Sequence, residues 1–133
     1  MGLTYLLDTD TCIYLIRQRP STTVARFRRM ELGQIGVSPV TVSELQFGAA
    51  KSLDPDRNRD ALAQFLLPLE VPSYDESAAR HYGDIRQYLE SRGIPIGPLD
   101  MLIAAHARSL ETTLVTHNVS EFKRVPGLTV ETW

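Results

Sequence analysis

With 133 residues, the chain has the length of one domain, expected to run through residues 1–133. A 43% hydrophobic and 23% charged composition is ordinary for a globular protein that builds its core without staples. A formal net charge of −2 excludes a bulk polyanion binder, and Cys12, being alone, excludes an internal disulfide framework and a cysteine-based zinc site.

Leu3 to Leu7 is a short apolar run ending at Asp8, which reads as a buried strand. The run lacks a basic flank and a cleavage site, so it is no signal peptide, and no segment approaches the roughly 20 apolar residues of a membrane helix. The expected location is the cytoplasm, away from any membrane. From Thr11 to Arg17 the pattern is helical and stops before Pro20, and a second helix is expected over Thr22 to Met30. Ile35 to Val40 reads as a short strand running into a turn, after which Thr41 opens a helix to Ala50. Asp54 to Leu67 and Asp75 to Arg92 are two longer helices, the second closed by Gly93. Pro98 opens a further helix to Leu110, Thr113 to Thr116 is a β-branched strand, and Leu128 to Val130 adds a last short one. Strands separated by helices are the grammar of an α/β fold around a small, mostly parallel central sheet. Ligand sites in such sheets lie beyond the carboxyl ends of the strands.

Carboxylates gather at the positions this rule singles out. Asp8 ends the first strand, where a buried charge is costly unless paired, capping or on a metal; either it or Asp10 also suits the cap of the next helix. Glu44 sits on a core-facing helix, and Gly48, four residues on, leaves the same face bare beside it. Asp100 lies in the first turn after Pro98, where the helix dipole favours a negative charge, and Ala104 and Ala107 leave space on its face. Thr116 and Asn118 follow the third strand and can orient a water or touch a phosphate, although Asn is also common in turns. Carboxylates packed together repel and resist ionisation, and a hard divalent cation with oxygen ligands removes that conflict. Twelve of the fourteen basic residues are arginine, and Arg17, Arg19, Arg26, Arg28 and Arg29 crowd into one window. Their planar forks suit phosphate, and a solvated helix face is the other reading.

Four segments carry a resemblance to a known family: Leu-Leu-Asp-Thr-Asp at 6–10, Val-Ser-Glu-Leu-Gln-Phe-Gly-Ala at 42–49, Gly-Pro-Leu-Asp-Met-Leu-Ile-Ala-Ala-His-Ala at 97–107, and Thr-Leu-Val-Thr-His-Asn-Val-Ser-Glu-Phe at 113–122. In order and spacing the chain resembles the PIN-domain ribonucleases, and within them the VapC toxins of bacterial toxin–antitoxin pairs. The resemblance implies a three-layer α/β/α sandwich and Mg²⁺, replaceable by Mn²⁺, on Asp8, Glu44 and Asp100. It implies a metal-activated water that cuts structured RNA internally, transfer RNA being the expected target. Thr116 and Asn118 would assist catalysis, with Asn118 standing where many relatives carry a fourth acid, and Thr9 and Asp10 would support the ligands. It also implies a homodimer, a cognate VapB-like antitoxin, and contact with DNA only through that antitoxin. The Arg17 to Arg29 window would serve RNA or antitoxin, and Tyr14, Leu15 and Ile16 belong to the core or to the antitoxin groove, core being the preferred reading.

Two other readings remain. Asp8-Thr9-Asp10-Thr11 fits the opening of a haloacid-dehalogenase-like phosphatase, with Asp8 as nucleophile and Asp10 as acid/base. That mechanism wants a positioned lysine and a later acidic pair, whereas the lysines are Lys51 and Lys123 and Gly83-Asp84 falls in a helical pattern. The second is a catalytically silent PIN-like RNA-binding module, which the intact acids do not demand. His81, His106 and His117 lack zinc-like spacing; His106 reads as structural, and His117 adjoins the site near enough to meet a phosphate.

Overall fold

The computed structural model describes residues 2–133. Its sheet is built on β1 (Tyr5–Leu7), which pairs in parallel on both sides, with β2 (Ile35–Val37) and with β3 (Thr113–Val115). β4 (Thr129–Glu131) pairs in parallel with β3, giving the order β2-β1-β3-β4. An all-parallel sheet is covered on both faces, so its strands are apolar throughout rather than alternating. Leu6, Leu7, Ile35, Val37, Leu114 and Val115 are all fully buried. Their side chains divide by the two-residue period of a strand. Leu6 and Leu114 join one core cluster, whereas Leu7, Ile35, Val37 and Val115 join the other.

The first cluster is completed by α5 (Glu76–Ser91) and α6 (Pro98–Ser109), through Ile85, Leu89, Met101, Ile103 and the alanines of α6. The second is completed by α1 (Thr9–Arg17), α3 (Pro39–Ala50) and α4 (Pro55–Leu66), through Cys12, Leu15, Leu45 and Leu62. α2 (Ser21–Arg28) packs beside them through Val24 and Phe27. The result is the expected three-layer α/β/α arrangement. Ala104 and Ala107 are fully buried in the first cluster, so they make close helix packing and leave no space before Asp100.

Boundaries move where a cap decides them. Asp8 accepts from the Thr9 amide at 2.7 Å, so α1 starts at Thr9, two residues before the expected Thr11. Ser38 caps α3 by accepting from the Val40 amide at 3.2 Å, with Pro39 in the first turn. β2 therefore ends at Val37 and Val40 is helical, not strand. Sequence reading also passes over α7 (Val119–Phe122). The outer edge of β2 is closed by Glu70, which accepts from the Val37 amide at 2.9 Å and donates to Ile35 at 3.1 Å. That approach needs Gly36, since a Cβ there would lie 2.9 Å from the Glu70 carbonyl.

His106 confirms its structural reading. It is fully buried, with Nδ1 2.9 Å from Ser38 Oγ and Nε2 3.1 Å from the Ser73 carbonyl, and burial pushes its pKa down. Ser38 thus serves a helix cap and a buried imidazole at once. Ser38→Ala is expected to cost about 1–3 kcal/mol, which urea unfolding measures as a lower midpoint at unchanged slope.

Candidate active site

The carboxyl ends of β1 and β3 converge with the first turns of α1, α6 and α7. Asp8 follows β1 directly and is 5% exposed. Its amide donates to Val115 O at 2.8 Å, which ties it to the end of β3. Its Oδ1 is spent on the Thr9 amide, and its Oδ2 accepts from Thr116 Oγ1 at 2.8 Å. Burial foremost, then the charge of Asp10, pushes the Asp8 carboxyl up to about 7, with Glu44 adding to the rise. The bonds from Thr116 and Thr9 oppose that shift without cancelling it.

Glu44 reaches the same place from the middle of α3. Thr9 Oγ1 donates to Glu44 Oε1 at 2.6 Å, so Thr9 joins the two acids through its amide and its hydroxyl. Asp100, in the first turn of α6, is also pushed up to about 7, by burial first and next by Glu121, with Asp8 and Glu44 contributing. Glu121 is a residue that sequence reading missed. It sits on α7, lies beside the Asp100 carboxyl and raises its pKa, accepts from the Gly97 amide at 3.0 Å, and accepts from the side-chain amide of Asn118. The missed signal was Asn118-Val-Ser-Glu121, the spacing of a capping box, which marks a helix start and its third-position acid together. The fourth acid therefore comes one turn after Asn118, whose side-chain amide orients it.

The other expected residues separate by what they touch. Thr116 is fully buried and its hydroxyl donates to Asp8, so it positions that carboxylate. Asp10 accepts from the His117 amide at 3.3 Å, fixing the turn after β3. His117 turns away from the acids: its Nε2 is 3.3 Å from Thr23 Oγ1 and its ring meets Tyr14 edge-on at 4.6 Å. Leu15 is core, Tyr14 packs on His117, and Ile16 packs on the core while lining a groove. The arginine window does not act as one patch. Arg26 is bound to Glu131 at 2.8 Å and lies over Trp133. Arg17 lines the groove beside Glu44, while Arg19, Arg28 and Arg29 are exposed elsewhere on the α1–α2 surface.

That groove, of about 840 Å³, runs between α1, α3 and α4 and includes Thr9, Glu44 and Gly48. No atom lies within 4 Å of where a Gly48 Cβ would stand, so the face beside Glu44 is bare as expected.

The PIN-domain family profile matches residues 5–128. The chain is 43% identical over 131 residues to the tRNA(fMet)-specific endonuclease VapC of Salmonella typhimurium, covering 98% of each. The chain belongs to the PIN-domain family, among its VapC proteins. The crystal structure of DNA-bound VapBC from Salmonella typhimurium superposes with a TM-score of 0.93 at 43% identity, covering 98% of both chains. VapBC2 from Rickettsia felis, bound to a promoter DNA fragment, gives 0.89 at 36% identity, covering 98% of this chain and 99% of that one. VapC relatives carry the names of ribonucleases, and nucleases of the PIN family depend on divalent metal ions. The phosphatase reading finds no support: Asp10 is engaged by the turn after β3, and Asp84 is exposed within α5.

The donor set suits a hard cation. Every donor is a carboxylate oxygen, and Asp8 and Asp100 resist ionisation because each is buried among like charges. Among the described residues no three acids close on a single ion as the side chains lie. A small dication that retains its waters needs only one or two direct carboxylates, so the two facts are compatible. Without metal, both acids hold protons that the unfolded chain releases between about pH 4 and 7. Their stabilising contribution is complete below that window and disappears as pH rises through it. In EDTA the Tm is therefore expected to fall from pH 5.5 to 8, and Mn²⁺ to restore it chiefly at pH 8. His106 has the opposite sign, and Asp8→Asn, which keeps His106, is expected to flatten the fall. Equal Mn²⁺ stabilisation at both pH values would argue against a carboxylate site.

Proposed function

We propose that this chain is a divalent-metal-dependent endoribonuclease and the toxin of a toxin–antitoxin pair. One observation carries the reading: four acids from four elements, Asp8, Glu44, Asp100 and Glu121, are gathered at the carboxyl edge of the sheet, two of them with proton affinity raised to about 7. An isolated protein gains nothing from such crowding. A site that must bind a dication does.

Asp8, Glu44 and Asp100 hold Mg²⁺, with Mn²⁺ as substitute, and Glu121 is set against Asp100 as the further acid. The ion, when bound, supplies Lewis-acid stabilisation of the phosphodiester transition state and makes a nucleophile available from water at neutral pH. The protein's own contribution is positional. Thr116 fixes the rotamer of Asp8, Thr9 couples Asp8 to Glu44, and Asn118 with the Gly97 amide fixes Glu121. Burial of Asp8 keeps solvent from solvating the charge in place of the metal.

The substrate reading rests on the VapC relatives, among them the tRNA(fMet)-specific endonuclease. Structured RNA is the substrate class and initiator transfer RNA the target. The partners are a VapB-like antitoxin, a reading supported by the likeness to VapBC complexes bound to DNA, and a second copy of the chain, with DNA met through the antitoxin. The described residues contain no helix long and apolar enough to cross a membrane, which suits a cytoplasmic ribonuclease.

Purified protein incubated with total RNA and Mg²⁺, Mn²⁺ or EDTA is expected to give discrete metal-dependent cuts, mapped by sequencing the ends. Asp100→Asn keeps the size of the side chain and removes its charge, and is expected to lower cleavage more than about a hundred-fold. Cleavage and metal affinity that both survive this change would remove the metal assignment. Gly48→Leu fills the bare face beside Glu44 and is expected to abolish activity in a folded protein, as read by circular dichroism alongside the assay.

A further inference from the structure

One stripe of α3 carries Glu44, Phe47 and Gly48 and continues to Lys51, the C-cap of the helix, at the i, i+3, i+4 and i+7 spacing that places residues along a single face. All four line the 840 Å³ groove. Phe47 is 64% exposed, an unusual state for a phenylalanine. Lys51 Nζ lies 4.9 Å from the centre of its ring. Gly48 puts no side chain between them. Across the groove stands Arg17 of α1, and among the described residues neither Arg17 nor Lys51 is in an ion pair. Leu99, the neighbour of Asp100, lines the same groove, so it is continuous with the acid site.

Read outward from Glu44, the stripe runs carboxylate, aromatic ring, ammonium. Seven residues of helix span roughly 10 Å, within reach of a neighbouring nucleotide. Non-paired nucleic acid is bound by aromatic rings on which bases stack and by cations that follow the backbone. The acid cluster itself repels the phosphates on either side of the one it cuts, so those need cations set back from it. Resting on the ribonuclease reading, we propose that Phe47 is the stacking platform for an unpaired base beside the scissile phosphate, with Lys51 and Arg17 holding the adjoining backbone. The charges favour an RNA strand: the groove's cations, Arg17 and Lys51, attract a polyanion, and among the described residues its only carboxylate is the metal-site Glu44. Phe47 is thus a positioning residue for the substrate strand and has no part in bond breaking.

The test uses full-length protein and a fluorescein-labelled initiator transfer RNA transcript. Affinity is read by anisotropy in EDTA, and cleavage separately in Mn²⁺. Phe47→Ala is expected to weaken binding and raise KM about ten-fold with kcat within about two-fold. Phe47→Trp restores both, and Phe47→Leu, which keeps apolar bulk without a π-face, does not. Lys51→Gln lowers the salt slope of binding by about one. Phe47 is largely exposed, so none of these changes threatens folding. Unchanged RNA affinity in Phe47→Ala overturns the platform. If self-association is weakened instead, the ring belongs to an interface between copies, which overturns it equally. Wild-type protein that binds the RNA but never cuts it defeats the nuclease reading alone. Loss of binding in Phe47→Ala would still support the platform in that case.

Discussion

Asp8 closes the central strand with a carboxylate that water hardly reaches. Both of its oxygens and its amide are engaged, by the first turn of α1, by Thr116 and by the end of β3. Removing such a group from solvent costs several kcal/mol even when hydrogen bonds replace part of the hydration. The rest of the architecture holds it there. β1 is central, paired on both sides and packed between two apolar clusters through Leu6 and Leu7, so its end cannot retreat toward solvent. Thr11 reinforces the point by donating to the Val115 carbonyl at 3.1 Å, a second link between α1 and β3. The acid is buried because the strand that carries it is buried.

The neighbouring acids add to this conflict. Asp100 and Glu121 face each other across the starts of α6 and α7, and each helix start favours negative charge only to a limited extent. Two groups with proton affinity near neutrality, held by separate elements, respond together to any cation placed among them. This electrostatic tension is a property of the whole fold, since no two of Asp8, Glu44, Asp100 and Glu121 share an element. It also explains why hydrogen bonds from Thr9, Thr116, Asn118 and the Gly97 amide surround the acids. With like charges so near, side chains left free would swing apart into solvent.

Much of this was legible in the chain because the features are local. Apolar runs of three to five residues ending in Asp8 and Thr116 mark buried parallel strands, and Pro98 marks a helix start two residues before Asp100. What stayed hidden depended on tertiary context or on caps. Ser38 and Pro39 turn an apparent strand into a helix, because Ser38 has both an amide to cap and a buried histidine to meet. Small residues on the face of Asp100 suggested open space, yet Ala104 and Ala107 are small because α6 packs closely within the core. Glu121 lay three residues beyond Asn118, and only recognition of a short α7 brings it back to the site. Its distance in sequence from Asp100 offers no periodic signal.

Charge shows the same division between composition and placement. Twelve arginines suggest phosphate, but many are committed to the fold. Arg26 holds Glu131, and Arg108 donates to His81 Nδ1 at 2.8 Å and to the Pro126 carbonyl at 2.9 Å. Arg92 stacks over Tyr88, Arg86 pairs with Glu90, and Arg124 donates to the Pro95 carbonyl. A guanidinium already satisfied by protein oxygens gains little from a phosphate. A chain of net charge −2 can still engage a polyanion if its uncommitted cations lie where the strand must pass. Arg17 and Lys51 satisfy that condition, on opposite sides of a groove that opens onto the acids. Attraction at the approach and repulsion at the centre then act in sequence: the groove draws the strand in, and the acid cluster leaves room for the backbone only where a cation offsets its charge.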